Sequence, residues 1–408
     1  MANTLVTCSI LAKEALAVLD NMLTFSANVN RDFQEEFGGN MSRGYAPGQT
    51  INIERPPRYT YRAGRVAVPQ STVITTVPLT LSQGGTDLNF NSFERTLSLT
   101  SQKMQNKLQA AMATIANEID RQGLTLARFS TPNSVGTPGT PPATQLAMVQ
   151  LLADAQRRLD EEAAPRDRNR TLIMGPALNA TLVAGFSGLF NNSGQIDKQY
   201  KSGLFVDAIG FNTDMDQNVD RHTNGTQAVA GVNVNGANQT GSSVTTVALT
   251  GGGVSLTRGT IITLPGCFAV NPQSRQSTGV LRQFVVTADV ASGATSIPIS
   301  PAIIPSGAFQ NVTASPTTGQ PFLVYGTVSA GYDCNVAYHR DAFTLATVPL
   351  YAPPGGRGVI DSSTQSYRGI NLRVIEFYDG VNDNYIMRFD VLFGWAATYP
   401  ELSTRIAI

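Results

Sequence analysis

Histidine is almost missing from this 408-residue chain, with only His222 and His339 present. They lie in different regions, which nearly excludes a histidine-based triad or a multi-histidine metal site. Cysteine is as scarce: Cys8, Cys267 and Cys334 stand far apart and form no Cys-x-x-Cys pair. Neither a disulfide framework nor a zinc site is indicated, and synthesis in a reducing compartment is expected. Lysine is limited to Lys13, Lys103, Lys107, Lys198 and Lys201. Charged residues make up 14% of the chain, against roughly 25% in soluble domains, and 29 basic groups cancel 29 acidic ones. A neutral total calls for neither nucleic acid nor an anionic membrane as a direct partner, while so sparse a charge suits a protein that hides surface against partners. No stretch reaches the ~18 apolar residues of a membrane span, and residues 1–20 lack the basic start and long apolar run of a signal peptide. Export and membrane insertion are therefore not expected.

What is present is length and apolar content. At 42% hydrophobic, 408 residues can form two or three domains, each with its own core. The basic residues are mostly arginine, 24 in all, which favours planar pairing with carboxylates of the kind enriched at interfaces. A GC-rich genome explains the same bias equally well.

Ile10, Leu11, Ala15, Leu16, Leu19, Met22 and Leu23 recur at helical spacing and predict an amphipathic helix over 9–24, with a face left for a neighbour to cover. Residues 50–81 are rich in Thr, Val, Ile and Tyr and broken by Pro56, Pro57, Gly64, Pro69 and Pro78, which reads as a long β-hairpin arm. Its Arg55, Arg58, Arg62 and Arg65 are too many for a buried strand, so the arm is expected to project and to reach something acidic. Those arginines suit inter-subunit salt bridges or packaged nucleic acid better than they suit a plain solvated face, because exposed Arg alternating with Tyr and Pro fits an interface. Between Leu97 and Phe129 the stripe Met104, Leu108, Ala111, Met112, Ile115 and Ile119 predicts the longest helix, with Thr100 or Ser101 as its cap. A second helix is expected from Thr144 to Glu162, a buried strand over 170–174, and a short helix after Pro176.

The composition then shifts. From Thr226 to Val336 only Arg258, Arg275, Arg282, Asp289 and Asp333 are charged, among short Val, Ile and Thr runs separated by Gly, Ser, Asn and Pro. Such spacing indicates an antiparallel sandwich or barrel, inserted into an α/β parent that resumes after Ala337. Asp379-Gly380 and Asn382-Asp383 mark the turn of a late hairpin.

No constellation for chemistry stands out. Asp214, Asp216 and Asp220 alternate like a calcium loop but lack its Gly and Glu, and a solvated turn is the simpler reading. GFSG at 185–188 departs from the spacing of a nucleophile elbow around Ser187, and PPGGRG at 353–358 precedes neither a Lys-Ser/Thr pair nor a helix. No catalytic, cofactor or metal site is nominated.

Three segments carry a resemblance: NIERPPRYTYRAGR in the arm, AYHRDAFTLATVPL at 337–350, and RFDVLFGWAATYPELSTRI at 388–406 with its Gly394, Thr398, Pro400 and Glu401. In content and in order they resemble the tailed-bacteriophage major capsid proteins whose coat carries an inserted β domain. The resemblance implies an α+β capsid fold: an N-terminal arm and helix (1–45), an extended β loop (46–85), a peripheral domain with a spine helix (86–143), an axial domain (144–225), an inserted all-β, barrel-like domain (226–336), and a return to the axial and peripheral domains (337–408). It further implies a non-enzymatic subunit that assembles with itself into pentamers and hexamers, with a scaffolding protein and a portal, in the host bacterial cytoplasm. The product is an icosahedral virion shell around DNA that is contacted non-specifically; a decoration protein is left open. With no lysine in the arm, lysine–asparagine crosslinking is not expected and contacts should be noncovalent. An encapsulin-type nanocompartment shares the fold and is the alternative; a carboxylate-based hydrolase is a more remote one.

Overall fold

A computed structural model describes residues 8–32, 50–91, 101–186, 209–356 and 358–408. The expected cap at Thr100 or Ser101, the Met104 side chain and Ser187 lie outside the described residues. Two units emerge. One comprises Met1–Ile53, Thr76–Gly123 and Thr344–Ala396, the other Glu54–Thr75, Leu124–Phe343 and Ala397–Ile408.

The first unit is organised by the strand Asn384–Ala396, which buries Met387, Phe389, Val391, Leu392 and Phe393. It pairs antiparallel with Ile370–Asp379 and Thr344–Val348 on one side and with Ser82–Asn91 on the other, and Val359–Tyr367 adds to Ile370–Asp379. The expected turn at 379–383 is the tip of this hairpin. Helix α1 (Cys8–Met22) packs on Val359–Tyr367 and Ile370–Asp379 and buries Leu11, Ala12, Ala15, Leu16 and Leu19. This corrects the expectation of a face left for a neighbour: the chain's own sheet covers it. Helix α2 (Ser101–Ser130) turns Leu108, Met112, Ile115 and Ile119 inward, as its spacing dictates. The segment after α1 is tied to α2 by the buried Asp120 carboxylate, which accepts the backbone N–H groups of Thr24 and Ser26, each at 2.9 Å.

The arm departs from a long hairpin. Only Thr50–Arg55 and Thr75–Thr80 form a ladder; residues 56–74 are extended without one. Pro56, Pro57 and Pro69 remove backbone donors where pairing would continue. Instead Gln70 bridges the limbs, accepting the Thr60 N–H at 2.8 Å and donating to the Thr60 carbonyl at 2.7 Å.

In the second unit a mixed sheet runs in the order Asn133–Gly136, Ser403–Ala407, Gly331–His339, Arg170–Met174, Asn212–Met215. Its outer pairs are parallel and its inner ones antiparallel. Helix α3 (Gln145–Glu161) starts on Thr144, whose hydroxyl accepts from the Ala147 N–H at 3.2 Å. Its Leu151, Leu152, Ala155 and Leu159 meet Leu172, Met174 and Ile406 of the sheet, with Leu178 and Leu182 of α4 (Pro176–Phe186). Between these elements, six antiparallel strands follow the order Ala230–Asn233, Pro321–Val324, Ile261–Val270, Ser277–Val286, Ser296–Ile303, Gly241–Thr245. A bridge between Val234 and Thr246 joins the two ends, so the ring closes into a barrel without free edges. Its core of Val244, Leu264, Phe284, Val286, Ile297, Ile299 and Phe322 contains no charged residue. Gly331–His339 runs in the mixed sheet, so the barrel's own strands end at Val324.

Candidate subunit interface

The four arm arginines separate by environment. Arg55, at the root, lies 3.9 Å from Glu401 and 5.4 Å from the centre of the Tyr399 ring. Arg58 sits over Phe309 at 5.8 Å. Arg62 folds back to donate to the carbonyls of Gly64 and Val66. Arg65 is exposed and has no partner among the described residues. Around it stand Tyr59, Tyr61, Val66, Val68, Val73 and Ile74, all exposed, with Tyr61 at 96% and Val66 at 80%. A run of aromatic and β-branched side chains so bare marks a surface for a partner.

The seam between barrel and mixed sheet is polar and buried. Arg282 of the barrel pairs with Glu162 at 2.9 Å, both side chains buried. Gln283 mimics a strand neighbour to Ser134, accepting its N–H at 2.7 Å and donating to its carbonyl at 3.0 Å. Asn271 donates to the Glu161 carbonyl at 2.9 Å. Arg405, fully buried, gives Nη1 to the Gly259 carbonyl at 2.7 Å and Nη2 to that of Thr131 at 2.7 Å. Breaking one side of a buried ion pair costs about 3–5 kcal/mol, so Arg282 and Glu162 fix how the barrel seats. Sequence reading missed these residues, although a charged side chain within a β-rich run that is almost free of charge, such as Arg282, was the available signal.

The groups considered for chemistry are spent on structure. His222 is buried against Tyr332, 3.3 Å from the Thr260 hydroxyl, and burial together with the Arg405 and Arg128 charges lowers it to about 3. His339 lies 3.1 Å from Asp167. Asp220 pairs with Arg128 at 3.0 Å, and Asp216 accepts from the Asn218 N–H. No group of three or more metal-binding side chains is found among the described residues. Burial pushes the Cys8 and Cys267 thiols up to about 12, so neither is a nucleophile near neutral pH. A cleft of about 870 Å³ contains Arg157, Arg166 and Arg170, but these pair with Asp154, Asp160 and Glu161 of the same chain.

The sequence model of the P22 coat protein, gene protein 5, matches residues 74–404. The chain belongs to the P22 coat protein family. This coat protein is thus the subunit of a phage capsid shell, and its family is structural, favouring the virion over an encapsulin-type compartment. No curated protein matches it by sequence. Solved structures similar to it include one from Mycobacterium phage Che8 (11% identical, 94% of this chain and 90% of that one, TM-score 0.47). Others are the capsid of the Cyanophage P-SCSP1u (9%, 89% and 84%, 0.41) and the virus-like particle from Pyrococcus furiosus (8%, 97% and 97%, 0.39).

The coat family match ends within the terminal motif's strand, and the structure gives Gly394, Pro400 and Glu401 of that motif a task. Gly394 lets its strand approach the arm's returning strand: a Cβ there would lie 2.4 Å from the Thr80 carbonyl oxygen. Pro400 opens the turn Pro400–Leu402, placing Glu401 beside Arg55. The four arginines themselves precede the matched residues.

Proposed function

We propose that this coat protein builds an icosahedral shell of pentamers and hexamers around packaged phage DNA, assembling in the host bacterial cytoplasm with a scaffolding protein and a portal. In this reading the arm laps over a neighbouring subunit. Tyr61, Val66 and Val68 supply buried contact area, Arg65 reaches a carboxylate across the boundary, and Arg55, Arg58 and Arg62 hold the arm in shape. The barrel, whose strands lie within 226–336, is an inserted domain that stabilises the subunit or bridges capsomers. DNA is contacted non-specifically.

The observation that carries this reading is the bare apolar strip of the arm, since a lone subunit gains nothing by exposing it. Replacing Tyr61 and Val66 by serine should leave unfolding of the isolated subunit within about 0.5 kcal/mol of the parent, yet reduce shell yield at least ten-fold in sedimentation. Unchanged yield would remove the arm from the interface.

A further inference from the structure

We infer that the barrel sets the direction of the arm, so that arm and barrel of one subunit are mechanically coupled before any neighbour is met. The contact is Arg58 over Phe309. Beyond it, the hydrogen bonds of the arm tip among the described residues are internal: Thr60 with Gln70, Tyr59 with Thr72, and Arg62 with its own loop. No other hydrogen bond among the described residues ties the tip to the body, and its direction depends on its root.

That root has a braced platform. The loop bearing Phe309 is gripped by Arg275, whose Nη1 donates to the Gly307 carbonyl at 2.7 Å and Nη2 to that of Ala308 at 2.6 Å. Asn311 closes the loop on itself, donating to the Ala302 carbonyl at 2.6 Å and accepting from the Ile304 N–H at 3.0 Å. Arg282 donates to the Asn311 carbonyl at 3.5 Å while pairing with buried Glu162. A path thus leads from the seam of the barrel to the arm: Glu162 to Arg282 to Asn311 by side-chain contacts, along the loop backbone to Phe309, and from its ring to Arg58. On the other flank Arg55 meets Tyr399 and Glu401. A cation over an aromatic face is a modest attraction at an exposed site. The root is therefore held in one direction but released without large cost, which suits a segment that must settle onto neighbours in different settings.

The test uses the full chain as unassembled subunit, with spin labels on Tyr61→Cys in the arm and Ala237→Cys on the barrel, both exposed; the three native cysteines are buried. Phe309→Ala should at least double the width of the inter-label distance distribution at an unchanged midpoint of thermal unfolding. Arg58→Ala should do the same, and the double variant should be no broader than either single one. Phe309→Tyr, which keeps the ring, should retain the narrow distribution. Unchanged width in the alanine variants, or broadening that adds in the double variant, would overturn the coupling. Since the isolated subunit is measured, either result leaves the shell reading standing on its own test.

Discussion

At the scale of single residues, the buried corner around Arg405 shows charge used for structure. Its guanidinium has carbonyl oxygens as hydrogen-bond partners, and one belongs to Thr131, just past the C-terminus of α2, where helix carbonyls carry negative partial charge. Burial, reinforced by this cation and by Arg128, keeps His222 neutral, with its value lowered from 6.5 to about 3. The sign follows: between pH 3 and 6.5 the unfolded chain binds a proton at His222 that the folded chain refuses. The contribution of His222 is therefore full above pH 6.5 and is lost as pH falls, at about 1.4 kcal/mol per unit. Urea unfolding over that window should show a slope that His222→Gln reduces; an identical slope in the variant would mean that His222 does not titrate on unfolding. The sequence marked both histidines as too few for catalysis. It did not reveal their structural role, because Thr260, Tyr332 and Asp167 are far away along the chain and meet them only through the fold.

At the scale of elements, what depends on local periodicity was legible. The four α-helices among the described residues, the strand 170–174 and the hairpin turning at 379–383 lie where apolar spacing and turn residues put them. The covering of α1 was not, because an amphipathic stripe states that a face must be buried and not by whom. The barrel-like reading of the β-rich segment comes from composition, but its closure, which rests on one bridge between Val234 and Thr246, is a feature no composition can show. Gly123 is a further case. Inside a helix, Gly to Ala ordinarily stabilises by about 0.5–1 kcal/mol, but here a Cβ would lie 2.6 Å from Trp395 and 2.7 Å from Phe25, whose rings stack at 5.4 Å. Overpacking costs about 1–3 kcal/mol, so it wins. Gly123→Ala should lower the free energy of unfolding by about 1 kcal/mol or more in chemical denaturation, and a stabilised variant would show that the two rings yield freely.

At the scale of the whole molecule, sparse charge, an uncovered arm and a family of coat proteins describe one object, a subunit completed by its neighbours. Low charge alone suggested only an oligomeric protein; the order of arm, long helix, β-rich segment and terminal motif narrowed it to a shell subunit. The arm arginines were legible as a cluster but not as individuals, since only the fold distinguishes Arg55 at the root and Arg62 on its own loop from Arg65 in the open. The most direct measurement is electron microscopy of the purified full chain, with and without the scaffolding protein proposed as its partner. Closed icosahedral shells of uniform size are the expected result. A monodisperse monomer under both conditions would contradict the account.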